Sequence, residues 1–330
     1  MFKQRTRDLR DRRLRYVTLS TEKRVARKPS DLLILEYLHR LGPQTTEALY
    51  QLLHPIYKNK RSLLYRLAAL RNQEDSDYGG PILSYPSQQR RGATLPDNNY
   101  MVYDLTDRGL WVLKKAGLDR LYHPVTNGAE WKHDFMGATL AASILIGAKA
   151  LPDQHEYLYG DEIIERMDGL RSFPVPPYRY PSKGGEERTR DDASLRPDGF
   201  LGIRYFPSRV ERIFLMENDC HTEPYRSDNL ERKTHKHNIL SYFALLSNAE
   251  IRRTYFGEAR VGVLNLFSHP RAMQSAMELQ RELLGDICQF MLYQTWEAFG
   301  DFFRPPPPRV DLFIDPWERV GHPEFYINQV

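Results

Sequence analysis

Cysteine is almost absent: Cys220 and Cys288 are the only two in 330 residues. Two thiols exclude a disulfide framework and a four-thiolate zinc site, and they suit a reducing compartment. Long apolar runs are also missing. The longest apolar helical stretch, Phe135 to Ala148, is too short to span a bilayer and holds small residues suited to a packed core. The N-terminus is basic with no apolar stretch behind it, so no signal peptide is expected. These absences predict a soluble cytoplasmic protein without a membrane partner. A glycine-rich phosphate loop of the Walker type is lacking too, and so is any internal repeat. The formal charge of +4 is small, which turns attention to how charge is distributed.

The first 28 residues carry eleven Lys and Arg, Arg12 and Arg13 among them, against Asp8, Asp11 and Glu22. A like-charged arm of this kind stays solvated and suits phosphate neutralisation. Residues 29–118 read as three short helices, a hairpin and a closing helix. Ser30 is the expected N-cap of the first, which Gly42-Pro43 stops; Thr45 or Thr46 starts the second. The third runs from Asn59 to Asn72 with Leu63, Leu64, Leu67 and Leu70 inward. Lys58, Lys60, Arg61, Ser62, Arg66 and Arg71 form its outer face. Ile82 to Tyr85 and Tyr100 to Leu105 read as strands around a polar loop that holds Arg90 and Arg91, and Thr106 caps the last helix. This is the outline of a helix-turn-helix with a wing. Tyr103 to Gly109 resembles the strand-to-helix junction of winged-helix domains. Such a unit can enter a major groove with its third helix while wing arginines reach the backbone, or it can mediate protein contacts.

After a turn-rich link, a second domain is expected over residues 130–300. It begins with a buried helix from Glu130 to Ala150, then a strand from Tyr157 to Met167. Asp168 to Arg196, rich in Pro, Gly and charge, reads as a polar insertion. Two strands follow, Gly199 to Ile203 and Arg212 to Asp219, then a helix from Ser227 to Leu246, a central strand from Arg260 to Phe267 and a helix from Ala272 to Leu284. Ile287 to Trp296 is ambiguous between strand and helix. Residues 301–330 combine a stiff Pro305–Pro308 spacer with a last strand, Val310 to Ile314, and an exposed tail.

Asp198 begins one strand of the pair, while Glu217 and Asp219 end the other. Two carboxylates two residues apart share a face of a strand, where they repel each other unless a cation neutralises them. Oxygen ligands of this kind suit Mg²⁺ or Mn²⁺. The alternative is a pair of solvated strand ends.

The order helix, three strands, helix, strand, with Pro197-Asp198 and Glu217 so placed, resembles the PD-(D/E)XK nuclease fold. A winged helix followed by Pro197-Asp198-Gly199 and by Glu217, Asp219 and Thr222 resembles the plasmid replication-relaxation family over about residues 30–300. It is also similar to the relaxases of mobilisable plasmids that use this fold. The resemblance implies an α/β protein, a winged helix-turn-helix ahead of a mixed central sheet. It further implies double-stranded DNA as partner, a plasmid origin region above all, with replication or mobilisation proteins. Asp198, Glu217 and Asp219 would hold Mg²⁺ or Mn²⁺, polarising a phosphodiester and a water.

Asp219 stands where the fold usually supplies a lysine. Family members of this kind carry one on the following helix, four residues before a tyrosine, yet four residues before Tyr242 stands Asn238. Lys236 and Lys233 lie nearby, on the inward face expected from Leu240, Phe243 and Ala244. Thr222, His133 and Tyr242 are supporting candidates. His235-Lys236-His237 imitates a two-histidine metal pair, but on a helix the two rings splay by roughly 200°. Two functions therefore stand open: metal-dependent nicking of DNA, or DNA binding on a non-catalytic nuclease scaffold.

Overall fold

The computed structural model describes residues 24–72, 75–86, 102–118, 131–182, 184–220, 234–300 and 305–330. The chain divides into two units, Met1–Trp131 with Asp301–Pro308, and Lys132–Gly300 with Arg309–Val330. It is a mixed α/β protein, and among the described residues no helix is long and apolar enough to cross a membrane.

In the first unit, α1 (Pro29–Leu41) starts two residues earlier than Ser30 suggested. Pro29 fits the first helical position, and the Asp31 carboxylate accepts the Lys28 N–H at 2.9 Å. Strand β1 (Gln44–Thr45) leads into α2 (Thr46–Leu53), where the Thr45 hydroxyl caps Ala48 N–H at 3.1 Å. Helix α3 (Lys60–Asn72), β2 (Leu83–Ser84), β3 (Val102–Leu105) and α4 (Asp107–Lys115) follow as expected, with Thr106 capping Gly109 N–H. The strands form a small sheet in the order β1-β3-β2, both pairings antiparallel. Strand β1 had no signal in a two-residue stretch.

Ile34, Leu35, Leu38, Leu49, Leu63, Leu67 and Leu70 make one core beneath these elements. Its polar anchor is Asp31, which is fully buried. Arg66 holds Asp31 through Nε at 2.7 Å and through Nη2, Tyr78 donates to it at 2.6 Å, and Arg66 Nη2 also reaches Ala26 O at 2.7 Å. Arg66 is therefore a clamp between helices rather than a residue of the solvent face. Burial works against its charge, but the hydrogen bond and charge of Asp31 hold the guanidinium above its ordinary value. Burial first, and then Asp31, pushes the Tyr78 phenol up.

The basic arm is shorter than 28 residues. Val25 is buried and bridges to Ser76, Arg24 pairs with Asp77 at 2.9 Å, and the Arg27 backbone and guanidinium both bind Asp77. The rest of the arm, with Arg12 and Arg13, and the wing loop with Arg90 and Arg91 lie outside the described residues.

The second unit is built on a five-stranded mixed sheet. Helix α5 (Trp131–Lys149) comes first, then β4 (His155–Tyr159). The expected strand through Met167 ends at Tyr159, because the Glu162 carboxylate accepts Tyr159 N–H at 3.1 Å and starts α6 (Gly160–Arg166). Ile163-Ile164 is thus an apolar helical pair. The supposed polar insertion folds as two antiparallel pairs, β5 (Phe173–Pro174) with β8 (Ser194–Leu195) and β6 (Tyr178–Pro181) with β7 (Glu187–Arg190). Its hidden period is two: Tyr178 and Tyr180 are buried, and Arg179 and Pro181 are exposed.

Strands β9 (Gly199–Tyr205) and β10 (Val210–Asp219) pair antiparallel. Helices α7 (His235–Ser247) and α8 (Ala249–Phe256) lead to β11 (Arg260–Phe267), α9 (Pro270–Leu284) and β12 (Met291–Thr295). The sheet order is β12-β11-β10-β9-β4; β10, β11 and β12 are parallel and the other neighbours antiparallel. Central β11 agrees with its flat apolar sequence, and β12 settles the ambiguous segment as a strand.

The strand expected over Val310 to Ile314 is absent, and the segment behind it is packed rather than an exposed tail. Val310–Phe313 is a 3₁₀ turn, β13 (Pro316–Trp317) pairs with β14 (Phe325–Tyr326), and Phe313, Trp317, Val320 and Ile327 are fully buried. A Cβ at Gly147 of α5 would stand 2.6 Å from Phe313, so glycine there admits this segment against the helix.

Replacing Asp31 by Ala leaves the Arg66 charge buried and unpaired. We expect a loss of about 3–5 kcal/mol in urea unfolding of this unit; a loss below about 1 kcal/mol would contradict the clamp.

Candidate functional site

Strand β10 outruns β9. Their last paired residues are Met216 and Gly199, whereas β11 accompanies β10 as far as Asp219↔Phe267. Asp198 lies where β9 would have continued. Its backbone N–H bonds Met216 O at 2.9 Å, and its Oδ2 accepts Asn218 N–H at 2.8 Å. The carboxylate thus takes the place of a strand carbonyl, since Pro197 before it has no N–H to extend the ladder. His133 Nε2 of α5 reaches the same Oδ2 at 3.0 Å, and His133 Nδ1 lies 3.5 Å from Asp134. The helix-start histidine expected near the acids is in contact with one of them.

Alternation along β10 separates its last residues. Asn218 turns towards α5, where a Cβ at Gly137 would stand 2.7 Å from its Nδ2. Glu217 and Asp219 turn towards α7, and both are buried. Glu217 Oε1 accepts Tyr242 O–H, and its Oε2 accepts Asn238 Nδ2 at 3.3 Å. Asp219 Oδ2 lies 3.1 Å from His235 Nε2, whose ring stacks 5.7 Å from Phe267. His235, Asn238 and Tyr242 follow three- and four-residue steps on one face of α7. This stripe is rotated from the one expected through Leu240 and Phe243; Phe243 instead lies beside Phe290.

Lys236, one residue round the helix from His235, points away from this stripe. Its Nζ donates to Pro181 O and lies 5.1 Å above the Tyr180 ring. A step of about 100° explains the divergence. His237 goes to Tyr178, its Nδ1 3.2 Å from the phenol oxygen, so the two histidines of His235-Lys236-His237 serve different partners, as the helical spacing required. Lys233 and Thr222 lie outside the described residues.

The residues that the sequence did not single out as binding partners are Asn238 and His235. Asn238 occupies the position where the family resemblance expects a lysine, and it meets Glu217 with a neutral amide. The signal was present in the four-residue spacing of Asn238 and Tyr242.

A divalent cation needs oxygen donors converging on one point. Here Asp198 faces His133 and a backbone N–H, Glu217 faces Tyr242 and Asn238, and Asp219 faces His235. Among the described residues no three His, Cys, Asp or Glu side chains are grouped to hold a metal ion. Each of the three acids thus has a hydrogen-bonding neighbour of its own among the described residues. The cavity beside Glu217, Asp219, His235 and Asn238 measures about 20 Å³, room for one water and not for a nucleotide. Burial pushes the neighbouring Cys220 thiol up to about 12, with Asp219, Asp198 and Asp134 adding to it against Lys132.

Lys58, just ahead of α3, and Arg61 and Ser62 on it are exposed, and Tyr65 beside them is 63% exposed with the Arg61 guanidinium 5.5 Å from its ring. Lys60 is tied to Glu47 of α2.

Tyr242→Phe removes one of the donors to a buried carboxylate. The expected cost is about 1–3 kcal/mol by chemical denaturation, with Glu217→Gln in the same background restoring part of it. Equal stability of Tyr242→Phe and wild type would show that Glu217 does not depend on the phenol. Comparison with protein-family models, curated proteins and solved structures finds no match to the chain.

Proposed function

We propose that this protein binds double-stranded DNA through its N-terminal unit, as a replication or mobilisation factor of a plasmid or mobile element. The observation that carries the reading is the solvent face of α3. Its buried side is fixed by a leucine core and by the Arg66–Asp31 clamp, which leaves Arg61, Ser62 and Tyr65 outward on a rigid helix with Lys58 exposed just ahead of it. A helix so presented can lie in a major groove, where an arginine reads guanine and a lysine meets phosphate. The three-helix and hairpin order supports a winged-helix assignment, and the αβ order of the second unit supports a nuclease-like one.

Within that reading, the second unit serves as a scaffold rather than as a nicking enzyme. The support is the engagement of each acid by its own neighbours, with Asn238 in place of a lysine. Metal-dependent nicking is the competing reading, favoured by the gathering of three acids at one sheet edge.

Arg61→Ala should weaken binding to the cognate duplex by about 1–3 kcal/mol and relax its sequence preference, while Lys58→Ala should weaken all duplexes alike. Gel-shift titrations that leave both variants at wild-type affinity would remove α3 from the interface. Truncation of residues 1–22, which spares the packed Val25, should lower affinity across sequences and reduce the salt slope; an unaltered slope means that the arm touches no phosphates. Supercoiled cognate plasmid with Mg²⁺ or Mn²⁺ should stay unrelaxed. Relaxation by wild type, lost in both Asp198→Ala and Glu217→Ala, would establish the enzyme instead.

A further inference from the structure

The opposite end of β10 is basic. Arg212 near the start of β10 and Arg260 at the start of β11 stand side by side in the parallel register, and Arg319 joins them from the C-terminal segment. All three line a cleft of about 1000 Å³. The Phe325 ring gathers two of them, with the guanidinium carbon of Arg212 4.6 Å and that of Arg319 5.8 Å from its centre. Arg319 is held from behind by Pro323 O at 2.6 Å and Gln289 O at 3.5 Å. The Nε of Arg212 is buried and has no hydrogen-bond partner among the described residues.

Like charges do not collect without cause. Burial lowers the Arg212 guanidinium from its ordinary value, and Arg260 and Arg319 add to that, Tyr205 opposing them. Two further arginines and three acids line the cleft. Arg253 pairs with Glu258 at 2.9 Å, Arg252 donates to Leu246 O, and Glu324 accepts from Tyr326, while Glu250 sits in the first turn of α8. None of these acids forms an ion pair with Arg212, Arg260 or Arg319 among the described residues. Two guanidinium groups gathered on one ring, a third beside them in register and no acid paired with any of the three among the described residues together match a tetrahedral oxyanion.

We propose that this cleft is a binding site for phosphate groups, gripped by Arg212, Arg260 and Arg319. The cleft exceeds the size of one phosphate, so the group can come from a free anion or from a nucleic acid strand running past Phe325. The site is independent of the α3 face, and its test is separable from the one for duplex binding.

The full-length protein is titrated calorimetrically with inorganic phosphate and with a twelve-nucleotide single-stranded oligonucleotide. Arg260 is exposed, so Arg260→Ala and Arg260→Glu keep the fold, checked by thermal melting. Arg61→Ala, on α3, serves as the control. We expect Arg260→Ala to weaken at least one probe about tenfold, Arg260→Glu to abolish its binding, and Arg61→Ala to leave phosphate binding unchanged. A response to phosphate alone assigns a free anion; a response to the oligonucleotide assigns a strand. Wild-type affinity of Arg260→Glu for both probes, or no binding of either by wild type, overturns the proposal.

Discussion

A carboxylate buried at the end of an apolar strand must find donors, and two of them on one face must find separate ones. That constraint governs the second unit. Glu217 and Asp219 lose their β9 neighbour because β10 continues past it, and the donors come instead from α7. Leaving either charge without them would cost several kcal/mol. The helix is consequently rotated so that His235, Asn238 and Tyr242 face the strand. Lys236 is then carried round to Tyr180 and Pro181, and the β6 strand that holds them becomes part of the wall.

Elements whose ends are written locally could be read from the sequence. Thr45 and Thr106 cap the helices they were expected to cap, and Gly285 ends α9. Central β11 and the pairing of β9 with β10 follow from apolar runs. What could not be read depends on partners distant in sequence. Arg66 lies among solvent-facing basic residues by spacing, yet Asp31, 35 residues away, draws it inward. Tyr178 and Tyr180 were hidden among prolines and charges that sit at strand ends. Phe313 is buried where Gly147 leaves room on α5, far away in the chain, a contact for which no local pattern speaks.

The acid edge shows the same division. The three acids and His133 were legible as candidates, and their proximity to strand ends was read correctly. Their occupation was not. Spacing along α7 is compatible with two inward stripes, and leucine and phenylalanine favoured the wrong one. The choice belongs to Glu217 and Asp219, whose demand for donors outweighs the burial of one more half-exposed ring such as Phe243.

These charges also give β10 a polarity that bears on how it can meet a polyanion. Ile213 to Met216 is a buried apolar span with Arg212 at one end and Glu217 and Asp219 at the other. Tyr242 and Asn238 satisfy a carboxylate without cancelling its charge, so the field at the acid end remains negative. A phosphate brought to that end meets repulsion, whereas one brought to the other meets the positive charge of Arg212, Arg260 and Arg319. A phosphate held at the arginine end, as proposed, and hydrogen-bonded acids at the far end are consistent with each other, and both accord with the proposed scaffold role.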